Sequence, residues 1–255
     1  MGITTIVMIV GIGAMVAFYG FYYAKMKSSG VFNPAVIQDS TRTMLQRTGF
    51  QHAGMEGQPL ENQVARSMQL YEQQKAQART DSVMSRPAAD TVLYWQQLYE
   101  PIAGGYSYSN NWYIPVHQQP PVPFHIVERH AKDLTQKALN KPLSGWKSDW
   151  GPQYPNLVQT GDPDLDARFQ IYGHHPEHVA HVIRATPGLK EALMGLYIVD
   201  LCVLPDRIVF VDPMQRNYVQ AAGGTMALMK LAMDPSRSND IWCWLHDTVQ
   251  NLLLL

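Results

Sequence analysis

The chain has 255 residues, 46% of them apolar and 16% charged, with 20 basic and 21 acidic side chains, a net charge of −1 and two cysteines. A charged fraction well below the usual quarter, with Gly and Pro near their average shares, excludes a chain that is disordered throughout or collagen-like. Without a surplus of Lys and Arg, nucleic acid is excluded as a partner, and Cys202 and Cys243 make neither a CxxC pair nor a disulfide framework.

No charged side chain precedes Lys25, and Ile3 to Tyr23 is apolar, small or aromatic apart from Thr4 and Thr5. At about 1.5 Å per residue this run reaches about 32 Å, enough to cross the hydrocarbon core, so residues 1–27 are expected to be a single transmembrane helix. A cleaved signal peptide needs a basic region before the apolar run and a small-x-small site after it, and neither is present. Ile6 stands where a myristoylation signal requires Ser or Thr. Lys25 and Lys27 follow the run directly, which by the positive-inside bias places the N-terminus outside and the rest in the cytoplasm. Gly13, Ala17 and Gly20 recur at i, i+4 and i+7, a small-residue face for packing another helix inside the bilayer.

Residues 28–89 read as a Gln-rich linker, too poor in aromatic and β-branched residues to build a core. One amphipathic helix is expected within it, over about residues 59–79. Pro59 suits a first helical position, Glu61 follows in the first turn, and Leu60, Val64, Met68 and Tyr71 form a narrow apolar stripe suited to binding a partner.

From residue 90 to 255 the pattern predicts a cytoplasmic α+β domain, an antiparallel sheet with helices packed on it. Thr91 to Tyr99, Ser107 to Val116 and Pro123 to Arg129 read as strands of a meander, with Gly104 and Gly105 at one turn and Pro120 and Pro121 at another. Arg168 to Tyr172 is a fourth strand, and Ile198 to Val203 with Arg207 to Val211 form a hairpin around Leu204, Pro205 and Asp206. Capping residues followed by proline open helices at Thr186-Pro187 (through Leu196), Asp212-Pro213 (through Met233) and Asp234-Pro235, and His175-Pro176 begins another in the same way, although His is a poor cap. In the last of these Ile241, Trp244, Leu245, Thr248, Val249 and Leu252 keep a 3.6-residue period and are expected to close the core. Strands first and helices later, without βαβ alternation, favour α+β over a doubly wound sheet.

The strings SNNWYIPV (Ser109 to Val116), LDARFQIYG (Leu165 to Gly173) and VDLCVLPDRIVFVDPMQRN (Val199 to Asn217) resemble a group of uncharacterised membrane-anchored proteins of myxobacteria and related bacteria. The resemblance spans about residues 91–255. It implies a bacterial membrane and a coherent fold, and it brings no activity, cofactor or site residue with it.

His174-His175-Pro176-Glu177-His178-Val179-Ala180-His181 contains H-x-x-E-H, the inverted zinc-protease pattern, with His174 and His178 as ligands and Glu177 as base. Pro176 at a first helical position leaves His174 outside the helix, and no Glu follows Glu191 to serve as a third ligand. His178 and His181, at i and i+3, can still pair on one face. Gly223-Gly224 lacks the Lys and spacing of a phosphate-binding loop and reads as a kink or close helix contact between two helical halves. Met214, Met226, Met229 and Met233 read as core filling. Cys202 lies in an apolar strand, where a thiolate is costly, and there is no G-x-S-x-G.

The expectation is a non-catalytic accessory or assembly subunit of a larger bacterial inner-membrane complex, with no cofactor, whose partners are the other subunits and the lipid bilayer. The alternatives are a metal-dependent hydrolase built on the His174 to His181 cluster and a lineage-specific subunit of a mitochondrial inner-membrane complex.

Overall fold

The computed structural model describes residues 17, 20, 21, 23–25, 28, 43–52, 79–102, 105–116, 122–129, 154–213, 215–224, 230–231 and 234–255. In chain order the elements are α1 (43–48), β1 (Gln51–His52), β2 (Arg79–Ala88), β3 (Thr91–Ile102), β4 (Gly105–Pro115), β5 (Phe124–Glu128), β6 (Asn156–Val158), α2 (Pro163–Arg168), β7 (Phe169–Gly173), α3 (Pro176–Ala185), α4 (Leu189–Gly195), β8 (Asp200–Val203), β9 (Arg207–Pro213), α5 (Arg216–Ala221) and α6 (Pro235–Leu253). The strands form one antiparallel sheet in the order β1-β2-β3-β4-β9-β8-β5-β7-β6. An antiparallel sheet with helices packed on it is the α+β architecture expected.

The meander is corrected at its third strand. β3 and β4 pair as a hairpin from Tyr94↔Tyr113 to Ile102↔Gly105, but the other neighbour of β4 is β9, and β5 lies between β8 and β7. Four of the five β5 residues are buried, and a strand buried on both faces is best placed between two others, where all its backbone groups pair. The sheet also starts upstream of residue 89. β2 pairs with β3 from Arg79↔Tyr99 to Ala88↔Thr91, and Met44, Phe50, Met84 and Ala88 belong to the main core. Arg79, the last residue of the expected linker helix, is therefore in a strand. Leu60, Val64, Met68 and Tyr71 lie outside the described residues.

Among the described residues no helix is long and apolar enough to cross a membrane. Ala17 and Gly20 are helical and exposed, and nothing lies within 4 Å of a Cβ added at Gly20. Gly13 is outside the described residues.

One face of the sheet carries Met84, Leu93, Trp95, Trp112, Phe210, Leu201, Ile126 and Ile171, in one cluster with Val179 and Ile183 of α3, Leu189 and Leu193 of α4, and Leu245, Val249 and Leu252 of α6. The other face carries a smaller cluster of Tyr94, Tyr113, Tyr154, Cys202, Leu204, Val209 and Val211. α6 opens as expected, with Asp234 accepting from the Arg237 N–H and Pro235 in the first turn. Its buried face contains Trp242 and His246, whereas Trp244 is 44% exposed. Trp242 is held inside by stacking on Tyr218 at 4.6 Å and by His246 at 5.4 Å.

The helix expected from Asp212-Pro213 through Met233 is also revised. Pro213 is still in β9, opposite Ser109, and the helix begins at Arg216 after Gln215 in a left-handed conformation. It ends at Ala221, because Gly223 and Gly224 take φ of 97° and 92° and the Gly224 N–H turns back to the Val219 carbonyl at 2.9 Å. Those positive angles suit glycine and terminate a helix. The pair is thus a helix end, and Met214, Met226, Met229 and Met233 are not among the described residues.

Candidate functional site

Three helical elements enclose an open groove of about 620 Å³. The end of α4 contributes Gly195, Leu196 and Tyr197, α5 contributes Asn217, Gln220 and Ala221, and α6 contributes Arg237, Asp240, Ile241 and Trp244.

Each wall is pinned by side-chain hydrogen bonds. Asp212, at the end of β9, accepts from the Asn217 N–H at 2.9 Å and from Asn217 Nδ2 at 3.1 Å, so it caps α5 from outside the helix. Asn217 then ties α5 to the segment after α4. Its Oδ1 accepts from the Tyr197 and Ile198 N–H groups at 2.8 and 3.2 Å, and its Nδ2 donates to the Ile198 carbonyl at 2.9 Å. Arg168 anchors the same segment from α2, donating to the Met194 and Leu196 carbonyls while its Nε and Nη2 meet both oxygens of buried Glu128 at 2.9 and 3.2 Å. Tyr218 locks α5 to α6 by its stack on Trp242 and a 2.8 Å bond with Ser238.

The charges at the groove are few. Asp240 pairs with Arg47 of α1 at 3.1 Å, a surface contact with side chains 45% and 68% exposed, and such pairs contribute little to stability. Arg237 is an exposed cation. Beneath the groove, complete burial pushes the Asp212 carboxyl up to about 7, against the pull of the Asn217, Tyr218 and Arg216 N–H groups. None of the ten lining residues is a serine, cysteine or histidine. The groove presents an exposed indole, a tyrosine and a glutamine on walls joined by these bonds.

His174, His178 and His181 are all exposed, and α3 begins at Pro176, so His174 stands before the helix as the proline position requires. His174 makes an edge contact with the Tyr154 ring at 5.5 Å. Among the described residues no three His, Cys, Asp or Glu side chains gather to hold a metal ion. Two buried histidines are bonded within the fold. His125 bonds Asp200 at 2.7 Å, and burial pushes the Cys202 thiol well up. His246 accepts from Trp112 Nε1 at 2.7 Å, and burial holds its imidazole well below the usual histidine range.

The sequence reading missed the groove. Asn217 acts on backbone twenty residues earlier, which no local pattern reveals. Trp244 did carry a signal, because it shares a polar stripe with Arg237, Asp240 and Asp247 at helical spacing. No family model, curated protein or solved structure matches this chain.

Proposed function

We propose that this chain is a non-catalytic accessory or assembly subunit of a larger bacterial inner-membrane complex. Its apolar segment from Ile3 to Tyr23 holds it in the bilayer, the lysines after it set the α+β domain on the cytoplasmic side, and the α4–α5–α6 groove docks another subunit. The observation that carries this reading is the exposed Trp244 on a groove whose three walls are fixed by Asn217, Arg168 and Tyr218. A pre-ordered aromatic anchor concentrates binding energy without the cost of ordering flexible chain. The residue types at the groove supply no nucleophile with a base beside it, which favours binding over catalysis.

The test is purification from native membranes in mild detergent, with mass spectrometry of what is retained at matched expression. Trp244→Ala is expected to weaken retention by about 30-fold or more, as truncating an aromatic anchor does. Gly13→Leu with Ala17→Leu is expected to weaken it independently, through helix packing in the bilayer. Unchanged retention in all of these variants refutes the reading.

A further inference from the structure

We propose that α5 is a proton-gated strap: loss of the Asp212 proton lifts α5 off the end of β9 and releases the Asn217 link that shapes the α4–α5–α6 groove. The strap regulates the surface read above as a docking site and rests on that reading for its use, but its motion is a property of this chain and is tested without a partner.

α5 is built as a movable element. It spans six residues, Arg216–Ala221, too few to hold a helix by its own hydrogen bonds. Gln215 before it takes φ of 52° and ψ of 36°, and Gly223 and Gly224 after it take positive φ, so the chain turns sharply at both ends. A left-handed backbone at a residue with a side chain persists only where surrounding contacts impose it. Those contacts come from two places. Tyr218 stacks on Trp242 and bonds Ser238 of α6, and burial pushes its hydroxyl above the ordinary tyrosine range, so this contact keeps one charge state near neutral pH. Asp212 accepts from the Asn217 N–H and Nδ2, and the same Asn217 accepts from the Tyr197 and Ile198 N–H groups. One carboxyl therefore seats α5 and, through Asn217, fixes the segment after α4.

Asp212 has no exposed surface, and burial is the largest influence on its carboxyl. β4 sets the neutral Asn110 opposite it, and α5 brings Arg216 and Tyr218. Of the ionisable side chains on α6 only His246 is buried, and Asp200 of β8 is taken by His125. A carboxylate formed in this position gains most from water, and water reaches it when α5 lifts. The closed strap therefore keeps the proton up to about pH 7, whereas the open strap, with a hydrated carboxyl, gives it up near pH 4. By linkage the opening equilibrium rises about tenfold for each pH unit between those values and levels off above them.

The experiment measures hydrogen exchange amide by amide on the full chain in mild detergent, from pH 5 to pH 8, corrected for intrinsic exchange and repeated in about 1 M urea. Protection of the Tyr197, Ile198 and Asn217 N–H groups is expected to fall about 50-fold between pH 5 and pH 7. It is expected to change little with urea, because a local opening exposes little surface. The Ile126 amide, on a strand paired on both sides, is expected to exchange more slowly at every pH and to respond to urea. Asp212→Asn is neutral throughout and keeps the Oδ1 acceptor, so the three protections are expected to stay level in it; His246 is common to both proteins. Level protection in the wild type overturns the proposal, and so does an equal fall in the variant. Exchange of the three amides at the rate and urea dependence of Ile126 also overturns it, because α5 then opens only with the whole domain. Partner retention in Trp244→Ala is read separately from all of these, so the strap and the docking surface can each fail alone.

Discussion

Asp212→Asn is the substitution that most directly tests how the groove is built. The Asp212 carboxyl is fully buried and pushed up to about 7, whereas in the unfolded chain it ionises near 4. Between those two values the folded protein keeps a proton that the unfolded chain has released. The resulting stability is fully present below about pH 4 and is lost as pH rises through 7. Each pH unit in that window costs about 1.4 kcal/mol, so about 4 kcal/mol is gone by pH 8. Asparagine keeps the Oδ1 acceptor for the Asn217 N–H and side-chain amide and is neutral at every pH. The stability of the variant minus that of the wild type, from urea unfolding in mild detergent, is therefore expected to grow by about 4 kcal/mol from pH 4 to pH 8. His246 titrates with the opposite sign. Burial holds its pKa well below normal, so its contribution is present above about 6.5 and lost as pH falls below that. The two effects oppose each other in the wild-type profile, but His246 cancels in the difference. A difference that stays level across this range would show that Asp212 is not a buried, proton-holding group, and the account of the α5 cap would fail with it.

Gly173→Ala places a Cβ 2.7 Å from Val179 Cγ2 and is expected to cost about 1–3 kcal/mol in urea unfolding, with much of the loss recovered by Val179→Ala at the crowded contact. Glu128→Gln leaves the Arg168 guanidinium, 11% exposed, without its carboxylate and is expected to cost about 3–5 kcal/mol; because Arg168 also holds the Met194 and Leu196 carbonyls, retention of the partner complex should fall in parallel. His178→Ala with His181→Ala, at two exposed positions, is expected to change stability by less than about 0.5 kcal/mol and to leave complex retention intact; stoichiometric zinc in the wild-type protein, lost in this double variant, would instead favour the hydrolase.

The sequence shows where strands run more readily than it shows which strands meet. β3, β4, β5, β7, β8 and β9 are legible because each has a compact apolar or alternating pattern bounded by turn residues. β2 is not, because RTDSVMSRPA reads as polar and contains Pro87. It joins the sheet through Met84 and Ala88 on its buried face, while Arg86 is satisfied by the Thr48 carbonyl, Gln250 and Asp247, each at 2.8 Å. Those partners lie 38 to 164 residues away, beyond any window in which local periodicity operates. The position of β5 is hidden for the same reason, since its pattern records burial on both sides but not which strands provide it. The groove follows the same logic at finer grain. A 3.6-residue period admits either Trp242 or Trp244 to the core, and the choice falls to Tyr218, whose ring stacks on Trp242 and leaves Trp244 outside. The Asp-Pro signal found α6 and placed a cap at Asp212, yet the same signal at Asp162-Pro163 opens α2, where Asp162 accepts from the Asp164 and Leu165 N–H groups. Local chemistry thus locates the starts of α2, α3 and α6 but not that of α4, which begins at Leu189 after Gly188 rather than at Thr186-Pro187, nor that of α5, which begins at Arg216, while the groove depends on Asn217 reaching back to Tyr197 and Ile198. Sequence patterns will find the elements of such a domain, and its recognition face has to be sought in the bonds that join them.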